Sequence, residues 1–371
     1  MRVLLVSNYP LDEQQSMLRY ADLLRRGLEQ HGHGIEVIHP PALLGRLVSR
    51  RNALFKWLGY VDKFVLFPPL LRSRSSKVDL VHICDHSNSS YLRWIGSTPS
   101  LITVHDVLAI RSALGHFAQN PTGRTGQWLQ HWILNGLKTA RYAVSVSWKT
   151  KQDLDALTGC KASITVIHHG LNWDYSPASP VEVEEVRAAC GLTGQDEYLL
   201  HVGGNQWYKN RLGVLRIALE LKRHERFRRV KLVMAGKPWP LEMRVFCREN
   251  LFGDAIEFIA PDNQQIRALY SGALALLFPS LEEGFGWPIL EAQACGCLVI
   301  TSDRPPMTEV AGQGAIFIDP ENAVTAVQSI ADNFARCEIV KQAGCNNLKR
   351  FAIDEMMKRY QDVYASVVKE W

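Results

Sequence analysis

The stretch of sequence that decides the fold is residues 278–312, which read FPSLEEGFGWPILEAQACGCLVITSDRPPMTEVAG. Two carboxylates, Glu283 and Glu291, lie on either side of a turn that contains two glycines and Pro288. Glycines let the main chain turn sharply and let a ligand come close to it. Pro288 suits the first position of a helix, because its missing N–H would be unpaired there in any case. The pattern therefore predicts a turn and a helix whose N-terminal amides favour a phosphate group.

The two carboxylates can accept hydrogen bonds from hydroxyl groups, and a nucleotide sugar carries hydroxyls on both its ribose and its sugar. The stretch resembles the glutamate-(seven residues)-glutamate signature of the retaining glycosyltransferases of family 4. A bare pair of glutamates carries no such signal, because exposed glutamates are common on helices. The FPS before the pair, the EGFG within it and the VITSD after it make the match specific.

The resemblance implies an α/β fold of two facing Rossmann-like domains, the glycosyltransferase-B architecture, with a C-terminal helix that crosses back to the first domain. It implies that Glu283 contacts the transferred sugar and that Glu291 binds the ribose. It also implies that Phe285 and Gly286 contact sugar and phosphate. The reaction would move a hexose from GDP-mannose or a UDP-sugar to a hydroxyl acceptor with retention of configuration, in cell-surface polysaccharide or glycolipid synthesis.

Length and composition agree with two domains. A chain of 371 residues, 47% of them hydrophobic and 21% charged, is too long for one ordinary core. We expect an acceptor-side domain at 1–175, a nucleotide-sugar-binding domain at 176–353 and a returning helix at 354–371. Neither a run of 18 apolar residues nor a secretory signal is found in the sequence, so we expect a cytoplasmic protein.

The first half of the chain is basic and the second is mildly acidic. Residues 1–177 hold 20 Lys and Arg and 12 Asp and Glu, whereas residues 178–371 hold 22 and 25. Different partners are expected for the two halves. No nucleic-acid-binding motif accompanies the basic half, so we predict no nucleic-acid partner.

The sequence also argues against a metal site. Eight cysteines are scattered without zinc-ligand spacing, and the close pair Cys295 and Cys297 is either two buried thiols or a metal or redox site. Asp153 and Asp155 match the D-x-D of metal-dependent transferases, but they lie inside a predicted helix and are interpreted as a solvated face. We predict neither a metal nor another cofactor, because lysine and backbone amides can balance a diphosphate.

The second domain opens with YLLHVGGNQWYKN at 198–210, a strand followed by a glycine turn and a helix. Family members have an arginine followed by a lysine in this turn, and both reach the diphosphate. Lys209 keeps one charge, whereas Tyr208 stands where the arginine is expected, and Arg211 or another residue could supply the second charge. The resulting donor-binding candidates in this part of the chain are Gly203, Gly204, Lys209 and Gly236.

The acceptor-side candidates lie in the first domain. His105 ends a predicted strand, SLITV, and so faces the edge of the sheet where α/β proteins bind ligands. A lone histidine is more often structural, but the resemblance implies that His105 contacts the sugar or positions the acceptor. Asp106 and Asn8 are weaker acceptor-side candidates. The predicted catalytic set is therefore His105, Glu283 and Lys209.

Residues 43–67 have the spacing of an amphipathic helix, and residues 45–77 hold eight basic groups against one acid, Asp62. Two interpretations remain open. The helix either covers the sheet of the first domain, or it lies at an interface and grips anionic lipid, helped by Trp57 and Phe64. The second interpretation predicts an anionic membrane surface as a partner of residues 43–77, a peripheral position on the inner face of the plasma membrane and a lipid-linked acceptor.

Three functions are compatible with these patterns. The first is a transferase that uses a nucleoside diphosphate sugar as donor and a glycan or lipid-linked acceptor. The second is a nucleotide-sugar epimerase or a phosphorylase of the same fold, because fold does not determine function. The third is a non-catalytic nucleotide-sugar-binding protein, which the missing arginine at position 208 keeps open.

Overall fold

The computed structural model describes residues 1–12, 14–49, 52 and 54–371. They form two compact units, one of Met1–Asn172 with Ile353–Trp371 and the other of Trp173–Ala352. These limits lie within three residues of the boundaries expected from the sequence.

Each unit contains a six-stranded parallel sheet. The strands are β1 Arg2–Val6, β2 Gly34–Ile38, β3 Leu80–Ile83, β4 Ser100–Val104, β5 Tyr142–Ser145, β6 Ser163–Val166, β7 Tyr198–Gly203, β8 Lys231–Gly236, β9 Ala255–Ile259, β10 Ala275–Phe278, β11 Val299–Ser302 and β12 Ile316–Ile318. The strand order is β2-β1-β3-β4-β5-β6 in the first unit and β12-β11-β10-β7-β8-β9 in the second. The predicted α/β class with two Rossmann-like sheets is confirmed.

Helices connect the strands. The α-helices are α1 Gln15–Gln30, α2 Leu54–Val61, α3 Phe67–Ser75, α4 Leu108–Ala113, α5 Arg124–Leu137, α6 Trp148–Thr158, α7 Pro180–Ala189, α8 Arg211–Leu221, α9 Leu241–Glu249, α10 Asn263–Gly272, α11 Trp287–Ala294, α12 Met307–Ala311, α13 Ala323–Phe334, α14 Cys337–Asn347 and α15 Ile353–Glu370. Short 3-10 helices cover Pro10–Asp12, Gly45–Leu47, His86–Trp94, Trp207–Lys209, Glu225–Phe227 and Leu348–Phe351, and a π-helical segment covers Asp62–Leu66. Within the described ranges, none of these helices combines the length and hydrophobicity that a bilayer span requires.

Strand β1 shows why the sequence forms a buried parallel sheet. Alternate side chains of a strand point to opposite faces. Leu4 and Val6 pack with residues of α3 and α5, while Val3 and Leu5 pack with residues of α1 and α15. Both faces are therefore covered, which explains a continuous apolar run instead of alternation. Helix α15 completes one of these layers, so the C-terminal helix belongs to the first unit.

The order of each sheet reverses once. In the first sheet β1 lies beside β3, and in the second β7 lies beside β10. Ligands of open α/β sheets bind outside the carboxyl ends of the strands at such a reversal. The segments that follow β1, β3, β7 and β10 are therefore the places to look for function.

The prediction of one helix over 43–67 is wrong. Helix α2, the π-helical segment and α3 run without a break from 54 to 75, whereas the described residues 43–49 form a bend and a short 3-10 helix. The cause is Asp62, which is fully buried and accepts hydrogen bonds from the amides of Leu44 (3.0 Å) and Gly45 (2.9 Å) and from the Tyr9 hydroxyl (2.7 Å). These bonds hold the chain in the turn. The basic residues Arg50 and Arg51 lie outside the described residues.

Only part of the predicted apolar face covers the sheet. Phe67 and Leu71 of α3 are buried in the core of the first unit. Leu47, Leu54 and Val65 are instead exposed, at 74%, 56% and 60%. Within 43–67, Phe64 and Phe67 pack with the core of the first unit, so the packing interpretation holds near the end of the predicted helix and fails at Leu47, Leu54 and Val65.

A buried polar network ties α15 to the first sheet. His82 of β3 contacts the Thr103 hydroxyl through Nε2 and the Tyr364 hydroxyl through Nδ1, both at 2.7 Å. Burial lowers the pKa of His82 to about 3. Its ring is therefore neutral in the folded protein near pH 7, and an acidic medium opposes folding here.

We predict that this network makes the first unit sensitive to acid. Below a pH of about 6.5 the unfolded chain binds a proton at position 82 that the folded chain does not, so the free energy of unfolding falls as the pH falls. Between pH 7 and pH 5, His82 alone should remove about 2 kcal/mol. Because other buried histidines such as His105 add their own losses, urea unfolding at both pH values should show a total loss about 2 kcal/mol smaller in His82→Gln than in the wild type or in His131→Gln, an exposed control. The same loss in all three proteins would contradict the assignment.

Candidate functional site

The glycine turn leads directly into a helix. Gly286 has φ +109° and precedes α11, and a Cβ there would lie 3.3 Å from Cδ1 of Ile289. A positive φ of this size strongly favours glycine. Pro288 occupies the second position of the helix, one residue later than predicted, where a missing N–H is equally harmless. The glycine turn connects the end of β10 to the N-terminus of α11, at the reversal of the second sheet.

Lys209 and Glu283 form an ion pair at this reversal. Lys209 Nζ lies 2.6 Å from Glu283 Oε1, and the two side chains are 15% and 8% exposed. The Ser280 hydroxyl donates to the same oxygen at 2.9 Å. The Leu281 amide donates to the carbonyl of Tyr208 at 2.8 Å and so joins the two segments that carry the pair. Two predicted catalytic residues, 74 positions apart in sequence, are in direct contact.

Glu291 is held by a tyrosine. It is buried on α11 and accepts a hydrogen bond of 2.9 Å from the hydroxyl of Tyr270. Burial, and then the neighbouring Glu291, raises the pKa of Tyr270, so the hydroxyl stays protonated and continues to donate. No signal in the sequence indicated Tyr270, because its link to Glu291 joins two different helices. It is a positioning residue for Glu291.

The glycines at the ends of β7 and β8 let the two strands approach closely. Gly203 and Gly236 are paired in register, and a Cβ at Gly236 would overlap the carbonyl oxygen of Gly203. Gly236 has φ +139°, which a side chain would oppose. Gly204 follows at the end of β7, where a Cβ would collide with the side chain of Gln206. Three predicted donor-binding glycines therefore lie at one edge of the second sheet.

A buried arginine lies beside these glycines. Arg211 is 5% exposed, and its Nη1 donates to the carbonyl of Lys237 (2.9 Å) and to Asn205 Oδ1. Its Nε and Nη2 are buried without a hydrogen-bond partner among the described residues. Burial lowers the pKa of Arg211. Burial, and then the charges of Arg211 and Lys209, lower the pKa of the nearby His201. A buried cation with unused donors is costly unless a ligand satisfies them.

The side chain of Phe285 packs against neighbouring rings. It is buried and makes edge contacts with the rings of Trp287 and Phe351, at centroid distances of 6.3 and 5.9 Å. Its predicted contact with sugar or phosphate stays a prediction. Its ring supports the turn on which Gly286 lies.

His105 follows β4, next to the strand pair at which the first sheet reverses, and is buried among aromatic rings. Its Nε2 donates to the carbonyl of Cys84 at 2.8 Å, and its Nδ1 lies 3.1 Å from Nε2 of His169. The His169 ring is stacked on it at 5.1 Å, and the Tyr20 ring packs edge-on at 4.6 Å. Burial lowers the pKa of His105, so the ring is neutral near pH 7. Both ring nitrogens are engaged, and contact with a sugar would require one of these bonds to be exchanged. Its predicted catalytic role stays a prediction.

Asn8 and Asp106 have local partners. The buried Asn8 donates to Asp85 at 2.6 Å and accepts from Asn88 at 3.0 Å, which joins the segments after β1 and β3. Asp106 accepts from the amide of Leu108 at 2.9 Å at the start of α4. Both residues lie at the expected edge of the first sheet, and their acceptor-side roles stay predictions.

The alternative metal ligands are engaged elsewhere. Asp153 and Asp155 lie on α6 and form ion pairs with basic residues of the same unit. Cys295 and Cys297 are buried free thiols, and burial raises the pKa of each to about 12. Among the residues that the structure describes, no group of three His, Cys, Asp or Glu side chains is placed to hold a metal. Independence of metal ions remains a prediction.

Family models match both halves of the chain. Residues 182–344 match the model described as "Glycosyl transferases group 1", and residues 17–175 match "Glycosyltransferase Family 4". Together the two matches cover most of the sequence. They meet near the division between the two structural units.

Named relatives and solved structures agree with these two family matches. O-antigen chain mannosyltransferase B of Escherichia coli is 28% identical over 68% of this chain and 66% of its own length. The GDP-mannose:cellobiosyl-diphosphopolyprenol alpha-mannosyltransferase of Xanthomonas oryzae pv. oryzae is 26% identical over 82% of this chain and 78% of its own. Sucrose-phosphate synthase of Thermosynechococcus elongatus superimposes with a TM-score of 0.75 over 100% of both chains at 16% identity, which shows a shared fold. The chain spans 66% of the length of the Escherichia coli relative and 46% of the length of another curated relative, the D-inositol 3-phosphate glycosyltransferase of Corynebacterium kroppenstedtii.

We predict that Tyr270→Phe weakens the binding of a nucleoside diphosphate. The variant keeps the ring and removes the hydrogen bond that holds Glu291, so the predicted ribose ligand loses its orientation. A hydrogen bond to a charged group contributes about 1.5–3 kcal/mol, and a loss of roughly tenfold in affinity is expected. Calorimetric titration would measure it.

The matched control is Tyr198→Phe. The Tyr198 hydroxyl is also buried in the second unit, but it donates to the carbonyl of Leu269 at 2.7 Å. If both variants lose affinity equally, the effect comes from general loss of structure, and Tyr270 does not act through Glu291.

Proposed function

Because the chain belongs to glycosyltransferase family 4, we propose that it transfers a hexose from a nucleoside diphosphate sugar to a hydroxyl group of an acceptor. The observation that carries the proposal is the contact of Lys209 with Glu283 at the strand reversal of the second sheet. A ligand crevice is expected at that place. The contact brings a cation for phosphate and a carboxylate for sugar hydroxyls to the same point.

The chemistry requires stabilisation of a leaving group. When the anomeric bond breaks, its electron pair leaves with the nucleoside diphosphate, and negative charge grows on the phosphate oxygen. The acceptor oxygen forms the new bond to the anomeric carbon, and its proton passes to the released phosphate. Lys209 and the N-terminal amides of α11 can stabilise that charge. An ammonium group has three protons, so Lys209 can keep its bond to Glu283 while it donates to phosphate. Retention of configuration and independence of metal ions belong to this proposal.

Arg211 supplies the second cation in this proposal. Family members carry an arginine before the lysine, and Tyr208 stands there in this chain. Arg211 is buried at the same sheet edge with two unused donor nitrogens. Two adjacent donors of a guanidinium suit a phosphate, which accepts them together.

We predict that Arg211→Met weakens the binding of a nucleoside diphosphate about 10- to 100-fold, since bonds to a charged group are lost. Binding of the nucleoside without phosphates should change little. Arg211→Lys should recover part of the affinity. Calorimetry with both ligands measures the difference.

The control for this prediction is Arg226→Met. Arg226 belongs to the same unit but pairs with Glu197 at 2.6 Å on the surface. Equal losses for nucleoside and nucleoside diphosphate in the Arg211 variants would assign Arg211 a structural role instead.

The proposed donor is GDP-mannose, with UDP-sugars as the other candidates. Both relatives described above are named as mannosyltransferases, and one of the two names specifies GDP-mannose and a diphosphopolyprenol-linked acceptor. We extend this to the present chain as a glycan or lipid-linked acceptor in cell-surface polysaccharide synthesis. The proposal places the protein in the cytoplasm, at the inner face of the plasma membrane.

The experiment is incubation with GDP-mannose and a panel of UDP-sugars, with and without a diphosphopolyprenol-linked glycan. We expect release of GDP together with addition of mannose to the glycan. Glu283→Gln should lower turnover about 10- to 100-fold while the affinity for GDP stays nearly constant. Isomerisation of the donor sugar, phosphate-dependent release of a sugar phosphate, or binding without turnover would contradict transfer and identify one of the other functions.

The basic segment at 43–77 is proposed to bring the protein to an anionic membrane. Arg46, Lys56, Arg72, Arg74 and Lys77 are exposed there. Each cation close to an anionic surface contributes roughly 1 kcal/mol, and salt screens the attraction. A transferase with a lipid-linked acceptor benefits from such a position.

Co-sedimentation with phosphatidylglycerol vesicles tests this attraction. We predict that Lys56→Gln with Lys77→Gln weakens binding by about 2 kcal/mol, roughly 30-fold, and that added salt weakens the wild type. The control exchanges two exposed arginines of the second unit, Arg228→Gln with Arg229→Gln. Equal effects in both double variants, or binding that salt does not change, would rule out docking through 43–77.

A further inference from the structure

An apolar groove lies between helix α5 and the continuous helix at 54–75. We call it the aromatic groove. It has a volume of about 440 Å³ and lies within the first unit. Its lining consists of Trp57, Tyr60, Val61, Phe64, Val65, Thr125, Trp128, Leu129 and Trp132. None of these residues belongs to the candidate site described above.

The rings that line the groove support one another. Phe64 and Trp132 make an edge contact with centroids 4.6 Å apart, and Trp128 stacks on Trp132 at 5.7 Å. Tyr60 lies 5.8 Å from Phe64 and 6.0 Å from Trp57. The groove is therefore a preformed array of rings from two helices that are distant in sequence. Its size and apolar lining are those of a ligand site.

The outer rings of this array face solvent. Trp57 and Trp128 are each 68% exposed. Leu54 and Val65, which lie with Trp57 on the continuous helix at 54–75, are also more than half exposed. Scattered exposed apolar residues are ordinary, but a contiguous group of this size marks a surface that binds something apolar.

Two basic side chains lie against the rings of the groove. Helix α5 has no acidic residue, and the single acid of 54–75 is Asp62, which is buried and bonded to the turn at 44–45. Lys63 Nζ lies 5.2 Å from the Tyr60 ring, and the Arg93 guanidinium lies 5.4 Å from the Trp132 ring. Lys63 is largely buried and pairs with Asp12 at 3.0 Å, so the exposed Arg93 is the cation that a ligand in the groove would meet at its rim.

These features point to the chemistry of the occupant. A hydrocarbon chain needs no hydrogen-bond partners. The lining side chains offer few, because their polar groups are limited to the hydroxyls of Thr125 and Tyr60 and the indole N–H groups. An extended peptide would leave its backbone groups unsatisfied there. The exposed guanidinium of Arg93 at the rim favours a hydrocarbon chain that is attached to an anion. Tryptophan and tyrosine also favour the boundary between hydrocarbon and water.

We propose that the aromatic groove takes an acyl chain of an anionic phospholipid at the membrane surface, with the headgroup phosphate at the basic rim. This deepens the docking part of the proposed function and rests on it for the presence of a membrane. The groove adds a specific hydrocarbon contact to the general electrostatic attraction. Helix α5, which has no basic run, becomes part of the membrane-binding surface.

The test uses phosphatidylglycerol vesicles whose acyl chains carry bromine, which quenches tryptophan fluorescence on contact. We expect quenching of the wild type. Trp57→Phe with Trp128→Phe should lose at least half of the quenching, because these two tryptophans of the groove are the ones that face solvent. Trp148→Phe, which removes another exposed tryptophan of the same unit, should keep it.

A second pair of variants tests affinity. Trp57→Ser with Trp128→Ser should weaken binding to phosphatidylglycerol vesicles at least tenfold, and Trp148→Ser should not. An unchanged melting temperature and an unchanged affinity for GDP would show that the double variant is folded. Because these readouts need no turnover, quenching without glycosyl transfer would refute the transferase and leave the groove assignment standing.

Three outcomes would overturn the inference. The first is vesicle binding without quenching by brominated chains. The second is equal quenching by neutral phosphatidylcholine and anionic phosphatidylglycerol vesicles. The third is a dimer in solution, without lipid, that the Trp57→Ser and Trp128→Ser variant dissociates, which would show that a second copy of the chain fills the groove.

Discussion

A parallel sheet that reverses its strand order sends the segments after two neighbouring strands to opposite faces, and the space between them is where a ligand fits. Both sheets of this protein depend on that constraint. In the second sheet it places the glycine end of β7 beside the glycine turn after β10. In the first it places Asn8 beside Asp85. The residues that carry chemistry are therefore brought together by topology, although they are far apart in sequence.

The charges at the second reversal are better explained by function than by stability. A largely buried ion pair such as Lys209 with Glu283 contributes little net stability, because desolvation offsets the attraction. A buried arginine with two unsatisfied nitrogens is unfavourable by itself. An incoming diphosphate would accept hydrogen bonds from the two unpartnered nitrogens of Arg211 and a further one from Lys209. Ligand binding can therefore offset the unfavourable free energy of burying these charges.

The sequence predicted the fold class because buried parallel strands appear as apolar runs, and the run at 3–6 is fully buried. Lys209, Glu283 and Gly286 were indicated as site residues by the resemblance of their motifs to those of the family. The sequence did not indicate Tyr270 or Ser280, because each depends on a contact that only the folded chain reveals. The helix over 43–67 failed because helical periodicity does not register a buried carboxylate such as Asp62. The aromatic groove was missed because it combines helices some sixty residues apart.

The most direct measurement is a crystal structure of the protein with GDP bound. If the reversal of the second sheet is the donor site, the ribose hydroxyls will bond to Glu291, and terminal phosphate oxygens will lie about 2.7–3.2 Å from Lys209 Nζ and the unused nitrogens of Arg211. A nucleotide bound elsewhere, or one whose phosphates point away from Lys209 and Arg211, would contradict the assignment.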